Sequence, residues 1–342
     1  MSAVMSGTLN LLTDIAGLRV GNVHDEKAAT GVTSVVFDIP NVASVVVRGG
    51  APGGRGTADL EPEMFITGID ACLLTGGSII GLDASGGAVS CLASLGRGLA
   101  IGPARIPITV QAITFDLLNG GDKNWGRMPP YWELGFRATD AAKSGAFQLG
   151  SIGGGYGVTT ATCKGGLGSA SQTLSSGIRV AALAVVNAVG TVTVGDGPHF
   201  WAAAYEVGRE FGGLGQPSHV SADALRLRTK HGAPPSTTIA LVVTDAILTK
   251  AEVKRLAIMA DDGLARAVRP AHAPMDGDTV FAVSTLQKPL DTRSPLALTE
   301  LGQAAGDCLA RAIARGVYEA TALPFPNAMP AWRDKFPEAY RR

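Results

Sequence analysis

Residues 234–245 read PPSTTIALVVTD, a stiff extended opening followed by three hydroxyl residues and a β-branched apolar run. The run predicts a buried strand, so the hydroxyls of Ser236, Thr237 and Thr238 are expected at the mouth of a core strand. A hydroxyl in this position can attack the carbonyl group before it and break the chain. Thr237 would then become a new N-terminal residue whose α-amine lies beside its own nucleophile. The alternative is that Ser236 and Thr237 only begin the strand.

The composition limits the classes of function. Among the 342 residues, 29 Lys and Arg balance 29 Asp and Glu, so the formal net charge is zero. A neutral chain gives no electrostatic reason to expect nucleic acid or an anionic membrane as partner. The length allows one large domain or two ordinary ones, with a sizeable core. Sparse charge and abundant Gly and Ala also predict burial between subunits, and hence an oligomer.

The cysteines and the N-terminus favour a soluble cytoplasmic protein. The four cysteines are far apart and form no C-x-x-C pair, so they are expected to be core thiols; they are Cys72, Cys91, Cys163 and Cys308. Residues 1–12 lack the basic region and long apolar core of a signal peptide. No apolar run is long enough to span a bilayer. We predict no cofactor and no resident metal.

Periodicity and turn signals predict alternating strands and helices around a long loop, residues 195–235. Residues 191–194 are expected as the hairpin partner of the strand at 180–189. A capping box, Thr249 to Glu252, and the pair Ser294-Pro295 mark the starts of the last two helices. Strands are predicted at 17–21, 30–37, 44–47, 69–74, 108–117, 180–189, 191–194 and 278–285, and helices at 79–95, 132–142, 250–264 and 295–313.

Two carboxylates follow in the segment MDGDT, residues 275–279. Asp276 and Asp278 are two residues apart, so in extended backbone their side chains lie on the same side. If this segment lies beside Thr237, the pair can hold the new α-amine by hydrogen bonds. The alternatives are a plain surface turn and a calcium-type Asp-Gly-Asp; no further ligand pattern supports the latter.

A free α-amine can serve as the general base for Thr237, because its reference pKa is about 7.7–8.0. None of the five histidines lies in a nucleophile elbow, and no G-x-S-x-G motif is present. Asn187, a polar residue in an apolar strand, is a candidate oxyanion donor, or else makes an internal hydrogen bond. Lys164 offers a positive charge in a glycine-rich turn, or is an exposed lysine. The Walker pattern is not met, because Cys163 precedes Lys164.

With these residues in view, the sequence resembles the DmpA-type aminopeptidases, or L-aminopeptidase/D-esterase family, which includes β-aminopeptidases and nylon-oligomer hydrolases. The resemblance spans nearly the whole chain and rests on the order and spacing of several motifs. These are GLRVG (17–21), RGGAPG (48–53), LTGGS (74–78), GLDA (81–84), GGLGSA (165–170), VN (186–187) with Gly190, TTI (237–239) and DGDT (276–279).

The resemblance implies an α+β fold, a four-layer αββα sandwich like that of N-terminal nucleophile hydrolases, formed as a single domain over residues 1–342. It implies self-cleavage between Ser236 and Thr237 into chains 1–236 and 237–342, and a homotetramer or larger assembly. Thr237 matches the nucleophile of the nylon-oligomer hydrolase branch. The matching site residues of that branch are Asp276, Asp278, Asn187 and Lys164.

Two positions depart from the family pattern. Ser236 stands where the nylon-oligomer hydrolase branch has asparagine before the cleavage point, which bears on the rate of self-cleavage. Phe115 stands where relatives carry a tyrosine near the active site, so a phenolic donor for positioning substrate is missing.

The working hypothesis is a self-processing amidohydrolase that cleaves short peptides with a free amino end, or small ω-amino or β-amino amides, through a Thr237 acyl-enzyme. A second hypothesis is acyl transfer to an amino-acid amine, as in the ornithine acetyltransferases, whose fold is similar. A third is a non-catalytic oligomeric binding protein of the same fold. Phe115 and Ser236 give the third hypothesis its support.

Overall fold

An 18-residue strand, Thr30–Val47, runs through the two main β-sheets of the protein and joins them, whereas Leu99–Ile101 and Ala104–Ile106 form a separate two-stranded sheet. The computed structural model describes residues 5–232 and 234–340. The strands in these residues are β1 Leu18–Asp25, β2 Thr30–Val47, β3 Gly54–Arg55, β4 Ile69–Thr75, β5 Leu99–Ile101, β6 Ala104–Ile106, β7 Thr109–Ile113, β8 Leu167–Thr173, β9 Arg179–Asn187, β10 Thr237–Ala246 and β11 Thr279–Lys288. The α-helices are α1 Ala84–Ser94, α2 Tyr131–Asp140, α3 Lys250–Ala267, α4 Pro295–Tyr318, α5 Trp332–Lys335 and α6 Pro337–Tyr340.

The two halves of β2 pair with different strands. Its first half pairs with β1 and β4, and β7 and β3 continue that first sheet. Its second half pairs with β11, and β10, β9 and β8 continue the second sheet. The β10–β11 and β4–β7 pairs are parallel, and the other pairs are antiparallel. Exposed residues 38–40 mark the place where β2 passes from one sheet to the other.

The two sheets pack face to face, with helices on both outer sides. Along β10, Ile239, Leu241 and Val243 lie in the core between the sheets, because side chains alternate along a strand. Ala240 and Val242 point the other way, into a core that the second sheet shares with α3 and α4. A third core joins the first sheet to α1 and α2. The layers are therefore helix, sheet, sheet, helix, which confirms the predicted αββα sandwich.

Several predicted elements differ in detail. The strands predicted at 30–37 and 44–47 are one strand, β2, and β7 is shorter than the predicted 108–117. The hairpin partner predicted at 191–194 is wrong: Thr191 and Thr193 form only isolated bridges to Arg269 and Phe200. The partners of β9 are β8 and β10. The sequence reading missed β8 because its glycines indicated a turn.

The helix starts follow the capping signals. The Thr249 hydroxyl accepts a hydrogen bond from the Glu252 N–H, and the Glu252 carboxylate accepts one from the Thr249 N–H at 2.7 Å. Pro295 opens α4 as predicted, but the side chain of Ser294 makes no capping hydrogen bond. The helix predicted at 79–95 begins as a 3₁₀ turn, Ser78–Asp83, before α1.

The cysteines lie in the core, as predicted from the sequence. All four cysteines are buried and free. Within residues 5–232 and 234–340, no helix combines the length and apolarity that a bilayer crossing requires. The C-terminal tail is anchored by Trp332, which is fully buried against Phe200 and Tyr318.

The contact between β8 and α4 gives a test of the layered packing. A Cβ at Gly168 would lie 1.8 Å from the Ala312 carbonyl oxygen, so Gly168→Ala must push the helix off the sheet. We expect this substitution to lower the free energy of unfolding by about 1–3 kcal/mol or more, measured by urea denaturation. Gly197→Ala is the matched control, because its Cβ would meet only the Val194 oxygen at 3.4 Å. Equal stability of the two variants would contradict the close packing.

Candidate active site

Thr237 is the first residue of β10, between β9 and β11 in the second sheet. It lies opposite Asn187 in the antiparallel pair with β9, and the parallel pair with β11 joins Ile239 to Thr279. Just before β10, Ser236 forms an isolated parallel bridge with Asp276. The strand register thus places Thr237 beside Asn187 and beside the Asp276 segment. Thr237 is only 3% exposed.

The peptide bond between Ser236 and Thr237 is held in a defined geometry. The Thr237 hydroxyl donates a hydrogen bond to the Ser236 carbonyl oxygen. The Gly277 N–H donates to the same oxygen at 2.8 Å. A Cβ at Gly277 would lie 2.8 Å from both the Thr237 Oγ1 and the Ala51 carbonyl oxygen. The absence of a side chain therefore allows this N–H to reach the carbonyl, where it can stabilise negative charge.

The Asp278 carboxylate is fully engaged. Its Oδ1 accepts a hydrogen bond from the Thr238 N–H at 2.7 Å. Its Oδ2 accepts from the His272 N–H and faces the His272 Nδ1, both at 3.0 Å. The other ring nitrogen, Nε2, lies 3.4 Å from Asp261. Hydrogen bonding to Asp261 and to Asp278 raises the pKa of His272 to about 10.

The Asp276 carboxylate keeps one oxygen free. Its Oδ2 accepts a hydrogen bond from the Ala273 N–H at 3.0 Å, whereas its buried Oδ1 has no hydrogen-bond partner. The Val189 N–H lies near enough to this carboxylate to oppose the rise of its pKa. Burial, followed by repulsion from Asp278, raises the pKa of Asp276 to about 6. A buried carboxylate oxygen without a donor is costly, so this atom is suited to receive an N–H group.

The amide of Asn187 is held by internal partners. Its Oδ1 accepts hydrogen bonds from the Thr159 N–H at 3.1 Å and from Lys230 Nζ at 2.9 Å. Its Nδ2 donates to the Phe115 carbonyl oxygen at 2.9 Å. The structure thus contains the internal hydrogen bonds that the sequence left as an alternative. It also places the amide opposite Thr237.

Two buried lysines lie at the site, and the sequence analysis identified only one. Lys164 is 1% exposed and donates to the carbonyl oxygens of Gly155 and Gly165 at 3.0 and 2.8 Å, so it is not an exposed lysine. Lys230 donates to both the main-chain and side-chain oxygens of Asn187. Burial lowers the pKa of each lysine to about 7. Asp276 opposes the shift at Lys230, and Asp116 opposes it at Lys164.

Lys230 was missed because it lies in a basic stretch, RLRTKH (226–231), that is typical of an exposed loop. Its position seven residues before Thr237 was the available signal. His272 and Asp261 were missed because no motif links them to Asp278.

A cavity of about 340 Å³ lies in front of these lysines. Its one lining carboxylate among the described residues is Asp116, which accepts hydrogen bonds from Thr30 Oγ1 at 2.6 Å and from the Gly77 N–H at 2.8 Å. Burial raises the pKa of Asp116. The cavity is lined by Phe115, Asp116, Leu118, Asn119, Gly120, Gly157, Thr159, Lys164, Lys230, Pro234, Pro235, Leu323, Pro326, Asn327, Ala328 and Met329.

The cavity and Thr237 are adjacent but separated in the intact chain. Pro234 and Pro235 line the cavity, and Thr237 is not among its lining residues. Thr237, Asn187, Asp276 and Asp278 are brought together by strand pairing. Lys164 belongs to the same region as a lining residue of the cavity, together with Lys230 and Phe115. The size of the cavity suits a small organic molecule.

Known proteins resemble this chain in sequence and in fold. An uncharacterized aminopeptidase of Mycobacterium tuberculosis is 40% identical over 352 aligned residues, which cover 97% of this chain and 99% of that protein. A 6-aminohexanoate-oligomer endohydrolase of Kocuria sp. is 27% identical over 297 residues, which cover 84% of this chain and 78% of that protein.

Among solved structures, the L-aminopeptidase D-Ala-esterase/amidase of Ochrobactrum anthropi superposes with a TM-score of 0.70 and 21% identity, covering 100% of this chain and 96% of that chain. That protein is described as a new variant of the Ntn hydrolase fold, so the likeness shows this fold for the present chain. The sequence profile of Peptidase family S58 matches residues 10–329. The resemblance drawn from the motifs is thereby confirmed, and the chain belongs to peptidase family S58.

Proposed function

We propose that this protein is a self-processing amidohydrolase in which Thr237 first cuts the Ser236–Thr237 bond and then hydrolyses short peptides or small amino-amides. One observation carries the proposal: the Thr237 hydroxyl lies against the Ser236 carbonyl, and the Gly277 N–H donates to that carbonyl oxygen. Membership of a peptidase family supports hydrolysis of peptide bonds as the reaction class.

In the first step, Thr237 Oγ1 attacks the carbonyl carbon of Ser236 and gives up its proton. Negative charge develops on the Ser236 oxygen, where the Gly277 N–H stabilises it. The C–N bond then breaks, and the Thr237 nitrogen takes the proton released by Oγ1 and leaves as a free amine. The product is an ester between the Ser236 carbonyl and Thr237 Oγ1. Water hydrolyses this ester and leaves a carboxylate on Ser236.

In the second phase, the free α-amine of Thr237 takes the hydroxyl proton during attack on a substrate carbonyl and passes it to the leaving amine as the substrate C–N bond breaks. Water then hydrolyses the ester on Thr237 Oγ1 and releases the acid. The α-amine titrates near neutral pH, so no histidine is required as base. Its hydrogen-bond acceptor is the free oxygen of Asp276, because Asp278 is occupied by Thr238 and His272. Asn187, opposite Thr237, is the candidate donor to the substrate oxyanion.

The cavity and the relatives support the proposed substrate class. A cavity of about 340 Å³ suits a short peptide or a small amide. The similarity to 6-aminohexanoate-oligomer endohydrolases supports amides of amino acids, including ω-amino acids. Lys164 and Lys230 provide positive charge or N–H donors on its wall, and Phe115 provides an apolar surface. The oligomeric assembly and the cytoplasmic location remain predictions from the sequence.

Self-cleavage is tested by intact-mass spectrometry under denaturing conditions. We expect two fragments, residues 1–236 and 237–342, because the Thr237 hydroxyl contacts the carbonyl group of the bond that we propose to be cut. Thr237→Ala removes the nucleophile and should remain a single chain, whereas Thr237→Ser keeps a hydroxyl and should still be cut. A single mass for the wild-type protein after long incubation would contradict the proposal.

The role of Asp276 is tested by the pH dependence of kcat/KM. Hydrolysis needs a neutral Thr237 amine, so log(kcat/KM) should fall with a slope of one as pH decreases below about 8. The pKa of Asp276 is about 6 in the intact chain, and the ammonium group beside it in the cleaved enzyme lowers it further. The slope should therefore steepen to two only below about pH 6, where this carboxylate gains a proton and no longer accepts a hydrogen bond from the amine. In Asp276→Asn the steepening should disappear. An unchanged steepening in that variant would exclude Asp276 as its source.

Hydrolysis and acyl transfer are distinguished by adding an acceptor amine. With an aminoacyl-amide substrate, we expect addition of ornithine to leave the rate of amide cleavage and the yield of free amino acid unchanged. An increase in cleavage with formation of acyl-ornithine would instead favour the acetyltransferase alternative. The Thr237→Ala protein measures the background in both assays.

A further inference from the structure

The two aspartates of the site have unequal surroundings, and His272 causes the difference. Asp278 accepts three hydrogen bonds, two of them from the main chain and side chain of His272. Asp276 accepts one and has a buried oxygen without a donor.

His272 lies between two carboxylates. Its Nδ1 faces Asp278 Oδ2 at 3.0 Å, and its Nε2 faces Asp261 Oδ2 at 3.4 Å. Because a carboxylate faces each ring nitrogen, both nitrogens must carry a proton to make favourable contacts, so the ring is an imidazolium. Asp261 belongs to α3 and also pairs with Arg48 at 3.5 Å. The contacts of His272 with Asp261 and Asp278 therefore link the loop before β11 to α3.

The backbone at His272 is also unusual. Its φ is +56°, in the left-handed region that non-glycine residues rarely occupy. A strained residue persists when its surroundings over-determine it, and such residues cluster at functional sites. Here the conformation lets the N–H and the Nδ1 of one residue reach the same carboxylate oxygen.

We propose that His272 is a positioning residue: as an imidazolium held by Asp261, it fixes Asp278 on the Thr238 N–H and so reserves Asp276 for the Thr237 amine. We call Asp261, His272 and Asp278 the imidazolium clamp. The inference rests on the proposed function, since it assigns the two aspartates of that site to different tasks.

The clamp has an electrostatic consequence for Asp276. The charged groups that face Asp276 are Asp278, which repels its carboxylate, and Lys230, which attracts it. A positive charge on His272 offsets the charge of Asp278. Loss of the imidazolium therefore increases the net repulsion felt by Asp276, and the protonation of Asp276 should occur at higher pH.

A matched pair of variants tests the clamp, because glycine and asparagine both tolerate a positive φ. His272→Gly removes the ring donor and the charge. His272→Asn removes the charge but keeps an amide N–H that can occupy the place of Nδ1. We expect kcat to fall about 10- to 100-fold in His272→Gly with KM little changed, and His272→Asn to recover most of kcat at pH 8.

In both variants, the pH at which the slope of log(kcat/KM) steepens should move upward by about half a unit or more. If His272 had a purely structural role, the variants would yield less folded protein, but the pH at which the slope steepens would not change. Wild-type kcat in His272→Gly, or an unmoved pH profile in both variants, would overturn the proposal.

A measurement that does not need activity separates the clamp from the proposed function. In the Thr237→Ala protein labelled with ¹⁵N-histidine, one imidazole should remain doubly protonated at pH 8, and its signals should vanish in the Thr237→Ala/His272→Asn protein. A neutral His272 at pH 8 would overturn the clamp, whatever the activity. Absence of cleavage and hydrolysis in the wild type would overturn the proposed function, whatever the imidazole signals.

Discussion

The hydrogen-bonded register of β10 between β9 and β11 is the constraint on which the site depends. Pairing with β9 sets Thr237 opposite Asn187, and pairing with β11 brings the loop of Asp276 and Asp278 to the start of the same strand. A shift of one residue would turn Thr237 toward the α3 and α4 layer and replace it with a neighbour on the inner face. The apolar alternation of β10, buried on both sides, therefore specifies which residues meet at the candidate site as well as the fold.

The candidate site contains several buried ionisable groups. Lys164, Lys230 and Asp276 are all buried, and burial moves the pKa of each toward neutrality. His272 differs because two carboxylates raise its pKa instead. The site thus contains groups that change charge between pH 6 and 7 beside one that stays charged. Acid–base catalysis uses both kinds of group: some side chains that exchange protons near neutral pH, and others that keep a fixed charge.

Much of this arrangement could be predicted from the sequence, and the rest depends on contacts between distant segments. Thr237 and the Asp276-Gly277-Asp278 segment were recognisable because hydroxyls and carboxylates stood beside apolar strand patterns. The layers followed from the family resemblance, and the core clusters confirm them. Lys230 and His272 could not be found in this way, because their local sequences are typical of exposed loops. Only the folded chain buries Lys230 against Asn187 and brings His272 within reach of Asp261.

The interleaving of the strands has a consequence for a chain cut after Ser236. Strands β10 and β11 belong to the segment after the cut, yet in the sheet they lie between β9 and β2, which belong to the segment before it. The two pieces would therefore stay joined by strand pairing, and α3 and α4 would keep covering the second sheet. Unfolding, however, would release two separate molecules, so refolding would become a bimolecular reaction that slows with dilution. The intact chain could refold by itself after unfolding. The cut protein would instead depend mainly on kinetic stability, that is, on a high activation barrier to unfolding.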